Sequence, residues 1–201
     1  MAIEYREARA DDTNAIAELM EIAAGGLSDF LLTNLILGMN PRELVEAALT
    51  DENTPFHFSN IIVAEDAGNV VGAVNFYPAN QHGVPDIMRS IVPAKRLAVF
   101  EPFYNSKVPD SFYIHALAVS PKYRQSSIAI DLFKFCKEMA TTSGYEYMSA
   151  HVWADNTSVV NILKMAGFSE VERIHIKPHK LLPYKKGMVL LKSKPLSAQE
   201  L

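Results

Sequence analysis

IHALAVSPKYRQSSIAIDLFKF, residues 114–135, is the stretch on which the fold turns. An apolar run over 112–119 reads as a strand, the polar residues after it as a turn, and 127–142 as a helix. The apolar side chains of that helix, among them Ile128, Leu132, Phe135, Cys136 and Met139, occupy more than one face, so it is expected to be largely buried. A strand that passes through small residues into a helix leaves the first helical amides without internal partners, at the positive end of the helix dipole. Such a turn suits a phosphate. Gln125, Ser126, Ser127, Ile128 and Ala129 would supply those amides.

Toward the C-terminus, 147–152 reads as a strand, 156–165 as a helix opened by Asn156 and stopped by Gly167, and 168–176 and 188–192 as strands. Toward the N-terminus, a short strand over 3–9 leads to a helix that Asp11 or Asp12 can cap and that Gly25 and Gly26 end. A second helix is expected over 28–37, and Asn40-Pro41 opens a third with Leu44, Val45, Ala48 and Leu49 on one face. DAGN separates two β-rich runs, 61–65 and 70–77, at hairpin length. Between 78 and 110, Pro85, Pro93, Pro102 and Pro109 break the pattern, with helices expected at 86–92 and 94–100 in what reads as an insertion. Alternating strands and helices in the second half, against a hairpin in the first, predict an α/β (α+β) fold. Its mixed sheet carries helices on both faces, in one domain over 1–201 with a loose tail at 194–201.

Composition removes several alternatives. With 201 residues, 49% of them hydrophobic, and a formal net charge of -4, the chain can bury one sizeable core and offers no overall field for nucleic acid or anionic lipid. Cys136 is the single cysteine, so neither an internal disulfide nor a Cys-rich metal site is expected, and no metal is implied. The acidic, polar start MAIEYREARADD is unlike a secretory signal, and the apolar run from Leu27 to Met39 is too interrupted to cross a bilayer and reads as buried helix. A cytoplasmic, non-membrane protein is the expectation.

The turn resembles the signature of the GNAT superfamily of N-acetyltransferases, which places Arg or Gln, two variable residues, Gly, one variable residue, then Gly or Ala. Arg124, Ser127 and Ala129 fall on those positions, with Ser127 departing from Gly. YREARADD at 5–12 is similar to the family's first strand and helix start, and HVWADNTSVVNILKMAGF at 151–168 to its later strand and helix. The resemblance implies a GNAT-like, mostly antiparallel sheet of about seven strands. It implies acetyl-CoA as co-substrate, its pyrophosphate on the amides of 125–129 and its pantetheine arm along the backbone of Leu117, Ala118 and Val119. Asn156 falls on a family Asn that caps its helix and reaches the coenzyme, and Ser127 could offer a hydroxyl to a phosphate. Residues 25–55 then form the acceptor side.

Acetyl transfer to an amine needs a neutral nucleophile, a stabilised oxyanion and a proton for the departing thiolate. The resemblance gives the oxyanion to a backbone amide at Leu117 or a neighbour. HALAV at 115–119 is similar to the corresponding strand of arylalkylamine N-acetyltransferases, whose histidines deprotonate the amine through water; His115 matches one and Tyr113 stands at the other. The competing reading of His115 is a core histidine bonded to a backbone carbonyl. Many members carry a Tyr four residues before the Gly of Gly-Phe as proton donor; here that position is Leu163. Tyr104, Tyr113 and Tyr184 are the phenols to examine, each with a packed aromatic as the plainer reading.

The expected acceptor is the primary amine of a small molecule or peptide. FLLTNLILGM and RLAVFEPFY would supply a hydrophobic acceptor pocket, a homodimer face or more core. Lys177, His179, Lys180, Lys185 and Lys186 read as a solvated basic loop, or as a contact for an acidic acceptor or the coenzyme's 3′-phosphate. Two further functions remain open: a coenzyme-binding regulatory module without turnover, supported by Leu163 and Ser127, and transfer of a longer acyl group.

Overall fold

The computed structural model describes residues 3–195. Its strands are β1 (Glu4–Glu7), β2 (Ile61–Asp66), β3 (Asn69–Pro78), β4 (Ser111–Val119), β5 (Tyr147–Trp153), β6 (Ser169–Ile174) and β7 (Met188–Ser193). They form one seven-stranded, mixed and mostly antiparallel sheet in the order β1-β2-β3-β4-β5-β7-β6, the architecture the sequence predicts. The helices are α1 (Thr13–Ala24), α2 (Leu27–Leu32), α3 (Pro41–Leu49), α4 (Asp86–Ile91), α5 (Ala94–Val99), α6 (Glu101–Asn105), α7 (Ile128–Thr142) and α8 (Thr157–Met165). Two compact units are distinguishable. One runs to Tyr77 and includes Ile114–Cys136; the other comprises Pro78–Tyr113 and the described residues from Lys137 onward. The expected loose tail lies, over 196–201, outside the described residues.

In the first unit, β1, β2 and β3 pair antiparallel, and the β2–β3 turn places Ala67 and Gly68 at φ 49 and 82, the left-handed pair that a tight hairpin turn needs. Neighbouring residues of β3 face different helices. Ala73 joins Ile16, Leu19 and Met20 of α1 and Ala116 and Ala118 of β4 in one apolar cluster. Gly72 lies under α7, where an added Cβ would stand 2.9 Å from Ile128 Cγ2. Alternation along the strand thus seats helices on both faces. Arg6 ties the entry of the chain together, donating to Asp12 at 2.7 Å and to Glu65 at 2.6 Å.

Several expected elements differ. Gly25 ends α1 in the left-handed conformation as expected, and Asn40 caps α3 through a reciprocal pair with Glu43. The second helix, however, stops at Leu32 instead of 37, because Thr33 is extended and Asn34 sits at φ 58. The buried-helix reading of 27–39 therefore holds only for Phe30, Leu31 and Leu32, while Leu37 is fully exposed. In α7, only the stripe Ile128, Leu132, Cys136 and Ala140 is buried, and Ile130 and Met139 are exposed. Two faces of apolar residues were legible in the sequence; which one packs was decided by the sheet.

In the second unit, β7 pairs antiparallel with both β5 and β6. Gly187, at φ 71, lies so close to β6 that a Cβ would clash with the carbonyl of Ile174. The proline-punctuated segment forms α4 and α5 as expected, and also α6, which the sequence reading missed. Phe100 is fully buried, meeting the edge of Trp153, whose ring stacks on Tyr184 at 5.5 Å. Two buried serines, Ser111 and Ser149, share a hydrogen bond of 2.7 Å between β4 and β5.

Candidate active site

The turn between β4 and α7 is built by hydrogen bonds between near neighbours. The amide of Ser120 donates to Val71 of β3 at 2.8 Å, Tyr123 N to Ser120 O, and both the amide and hydroxyl of Ser126 to Tyr123 O. Tyr123 Oη donates to Asp66 Oδ2 at 2.6 Å, fastening the turn to the hairpin. The left-handed residue is Gln125, at φ 79, not Ser127. Ser127 precedes α7 and its carbonyl accepts the first helical bond, from Asp131 N at 2.9 Å, so it has the role of an N-cap. A β-carbon there is compatible with the backbone, and the missing glycine costs the turn nothing in φ.

The amides of Ser127, Ile128, Ala129 and Ile130 have no acceptor within the helix, and that of Ile128 donates to Ser126 Oγ at 3.4 Å. Ser126, Ser127 and Ala129 are exposed, as are Arg124 and Gln125, so an anion can approach them. The Ser127 hydroxyl, expected to be available for a phosphate, lies beside Asp131 and helps to lower its carboxyl pKa. Asp131 also receives Lys134 at 2.9 Å and Tyr5 Oη at 3.0 Å, which hold its carboxyl below the usual range, Lys134 contributing most. The same contact, with burial as the larger cause, pushes the Tyr5 phenol up to about 12. Lys134 offsets the Asp131 charge at the helix head, so the amides retain their suitability for an anion.

Along β4, Ala116 and Ala118 are buried in the α1 cluster, which by alternation directs His115, Leu117 and Val119 to the other side of the strand. His115 is half-buried. Its ring lies 4.7 Å from that of Phe56 and 5.7 Å from that of Tyr77, both tilted by about a third of a right angle (30° and 34°). The imidazole is thus held by aromatic faces contributed by the α3–β2 connection and by β3.

In the second unit, Tyr113 is buried and its hydroxyl shares a 2.9 Å hydrogen bond with His151 Nδ1. His82, also buried, stacks on His151 at 5.1 Å and lies 4.6 Å from the Tyr113 ring. His82 Nε2 lies 3.1 Å from the carbonyl of Phe103, which can only accept, so this nitrogen carries the hydrogen. Desolvation pulls the His82 pKa down, and the ring is neutral. Burial pushes the Tyr104 and Tyr113 phenols far above their ordinary range.

Asn156 stands at the N-cap of α8, but its side chain makes no capping bond; only its carbonyl serves, accepting from Val160 N at 3.1 Å. Leu163 is half-buried within α8. The segment after α2 forms an open concavity of about 660 Å³, lined by Asn34, Leu35, Leu37, Met39 and Glu43 among others. The basic loop is irregular, and within it Lys185 donates from its amide to Asp155 at 2.8 Å and from Nζ to the carbonyls of His179 and Leu182. Among the described residues no group of three or more His, Cys, Asp or Glu could hold a metal ion, and no helix is long and apolar enough to cross a membrane.

The sequence reading missed Tyr123, Asp66, Asp131, Phe56, His82 and His151. All act through partners remote in sequence, as Tyr123 and Asp66 do across 57 positions. Only Tyr123 and Asp131 carried a local signal, by flanking the turn.

The family model of the acetyltransferase (GNAT) family matches residues 32–168, and the chain belongs to that family. No curated protein matches the sequence. Among solved structures, the fold is similar to that of an N-acetyltransferase from Staphylococcus aureus Mu50, with a TM-score of 0.68 and 20% identity over 94% of this chain and 99% of that one. It is also similar to a mosquito arylalkylamine N-acetyltransferase like 5b, with a TM-score of 0.63 and 17% identity over 96% and 100% of the two chains. A third is the diaminobutyrate acetyltransferase of Paenibacillus lautus, in complex with L-2,4-diaminobutyric acid and coenzyme A, with a TM-score of 0.58 and 13% identity over 96% and 95%.

Proposed function

We propose that the chain is an N-acetyltransferase that moves an acetyl group from acetyl-CoA to the primary amine of a small molecule or peptide, by direct attack in a ternary complex and within a single catalytic domain. The observation that carries this reading is the β4–α7 turn, whose exposed small residues and first helical amides, unpaired within the helix, fit a pyrophosphate in a chain of the GNAT family. Arg124, Gln125, Ser126, Ser127, Ile128 and Ala129 hold that group, and the Leu117, Ala118 and Val119 backbone takes the pantetheine arm. Asn156, whose amide is not used as a cap, is assigned to the same coenzyme by resemblance.

The amine nitrogen attacks the thioester carbonyl carbon, a C–N bond forms, the C–S bond breaks, and the thiolate takes up a proton. The tetrahedral oxyanion is stabilised by a backbone amide at Leu117 or its neighbour. His115 takes the proton from the acceptor ammonium, directly or through one water. Tyr104 and Tyr113 remain protonated near neutral pH, so proton transfer from either to a thiolate runs uphill. The Tyr113 hydroxyl is engaged with His151 Nδ1, and with Leu163 in place of a phenol the thiolate is protonated from water.

The test is acetyl-CoA titration followed by thiol release across an amine panel. The chain binds the coenzyme and releases thiol with at least one amine, and His115→Gln lowers kcat by roughly 10²- to 10⁴-fold without changing coenzyme affinity. Absence of binding overturns the proposal. Binding without release across the panel points to the second reading, a coenzyme-binding module without turnover, which Leu163 favours. Other thioesters in the same assay report the acyl length.

A further inference from the structure

The connection between α3 and β2, residues 51–60, lies over His115 and is fixed in place by a residue of β3. Asn75 is 1% exposed, and its Nδ2 donates to Pro55 O at 3.2 Å and to Asn60 O at 3.1 Å. Both acceptors are carbonyls, which fixes the orientation of the amide. Asn60 Nδ2 is a second donor to Pro55 O at 3.3 Å. At the other end, the buried hydroxyl of Thr54 lies within bonding distance of Ala48 O and Asp51 O, anchoring the segment to the end of α3. Phe56, between these anchors, is carried onto the ring of His115 at 4.7 Å and the edge of Tyr77 at 6.3 Å.

The arrangement carries an energetic cost that calls for a reason. Asn75 Oδ1 is buried without a hydrogen-bond partner among the described residues. An apolar residue would fill this strand position without that cost, but it could not donate to two carbonyls. What the amide achieves is the placement of one loop, and what that loop presents is Phe56.

We infer that residues 51–60 are a strap that orients the His115 imidazole, with Asn75 and Phe56 as positioning residues for the reaction. The inference rests on the assignment of His115 as the base. A base gains from being held in one plane, because its nitrogen then meets the acceptor without a search over ring rotamers. Tyr77 supplies a fixed contact from the sheet, and Phe56, which also meets Tyr77, supplies the neighbouring contact only while Asn75 holds the strap.

The test compares the full-length wild-type protein with Phe56→Leu, Phe56→Tyr and Asn75→Ser. NMR of the His115 ring C–H resonances reads the stacking directly, through the ring current of Phe56. Phe56→Leu and Asn75→Ser are expected to shift these resonances in the same direction and to lower kcat several-fold, with coenzyme affinity unchanged. Phe56→Tyr, which keeps the aromatic face, is expected to retain both the shifts and the turnover. The inference is overturned if Phe56→Leu leaves the His115 resonances and kcat as in the wild type, or if Phe56→Tyr is as impaired as Phe56→Leu. Should Asn75→Ser fail to fold, the two Phe56 variants decide. Full turnover in His115→Gln overturns the assignment of the base, and the resonances still report whether the strap orients the ring.

Discussion

Replacing Gln125 by Gly and by Val should pull the phosphate turn in opposite directions. Gln125 sits at φ 79, where a side chain costs about 1–2 kcal/mol relative to glycine. Gly removes that strain but adds about 0.4–1 kcal/mol of unfolded-state entropy. The net gain is about 0.5 kcal/mol, or a rise in Tm of about 1–2 °C for a chain of this size. Val adds a β-branch at the same φ and should cost a further 1–2 kcal/mol or so, lowering Tm by about 2–8 °C. If the turn relaxes to negative φ instead, the amides it aims are lost to the coenzyme, and the same energy appears as a rise in Kd of roughly 5- to 30-fold. Differential scanning calorimetry and coenzyme A titration separate the two outcomes. A Gln125→Val protein with wild-type Tm and wild-type coenzyme affinity would refute both the left-handed turn and its role.

Tyr123→Phe removes the 2.6 Å bond to Asp66 that fastens the turn to the hairpin, and should weaken coenzyme A binding several-fold in a titration while Tm changes little. An unchanged Kd would show that the turn holds its shape without this bond. Gly72→Ala places a Cβ 2.9 Å from Ile128 Cγ2, so the Ile128 side chain or α7 must shift; a loss of about 1–3 kcal/mol in urea unfolding is expected. His82 is held neutral by burial, its folded pKa lying below the unfolded value, so its contribution to stability is present above about pH 6.5 and is lost as the pH falls toward the folded value. His82→Gln should flatten the dependence of Tm on pH in that window, and a slope equal to the wild type's would contradict the burial. Asp12 is held below the ordinary carboxylate range chiefly by Arg6, so its contribution is present above about pH 4 and disappears as the pH falls through the lowered value. Arg6→Met should reduce this acid-side slope, as followed by Tm between neutral pH and pH 3, while the bond from the Arg9 amide retains part of it.

Much of the fold and the outline of the site were legible in the sequence because they rest on local rules. Period-two apolar runs, DAGN between two of them, the Asn40-Pro41 helix start and Gly25 each act within a few residues, so the strands and most helices stand where the pattern put them. The β4–α7 turn is local too, and Ser stands at 127 without backbone strain because the left-handed conformation falls on Gln125. Tertiary structure decided what depends on partners far along the chain. It ended α2 at Leu32, selected one stripe of α7 for burial, and brought Tyr5 to Asp131. It also brought Phe56 and Tyr77 to His115, and His151 to Tyr113. Periodicity fixes which way a side chain faces along its own element. What it meets there is a sum over other elements, and no window of sequence contains that sum.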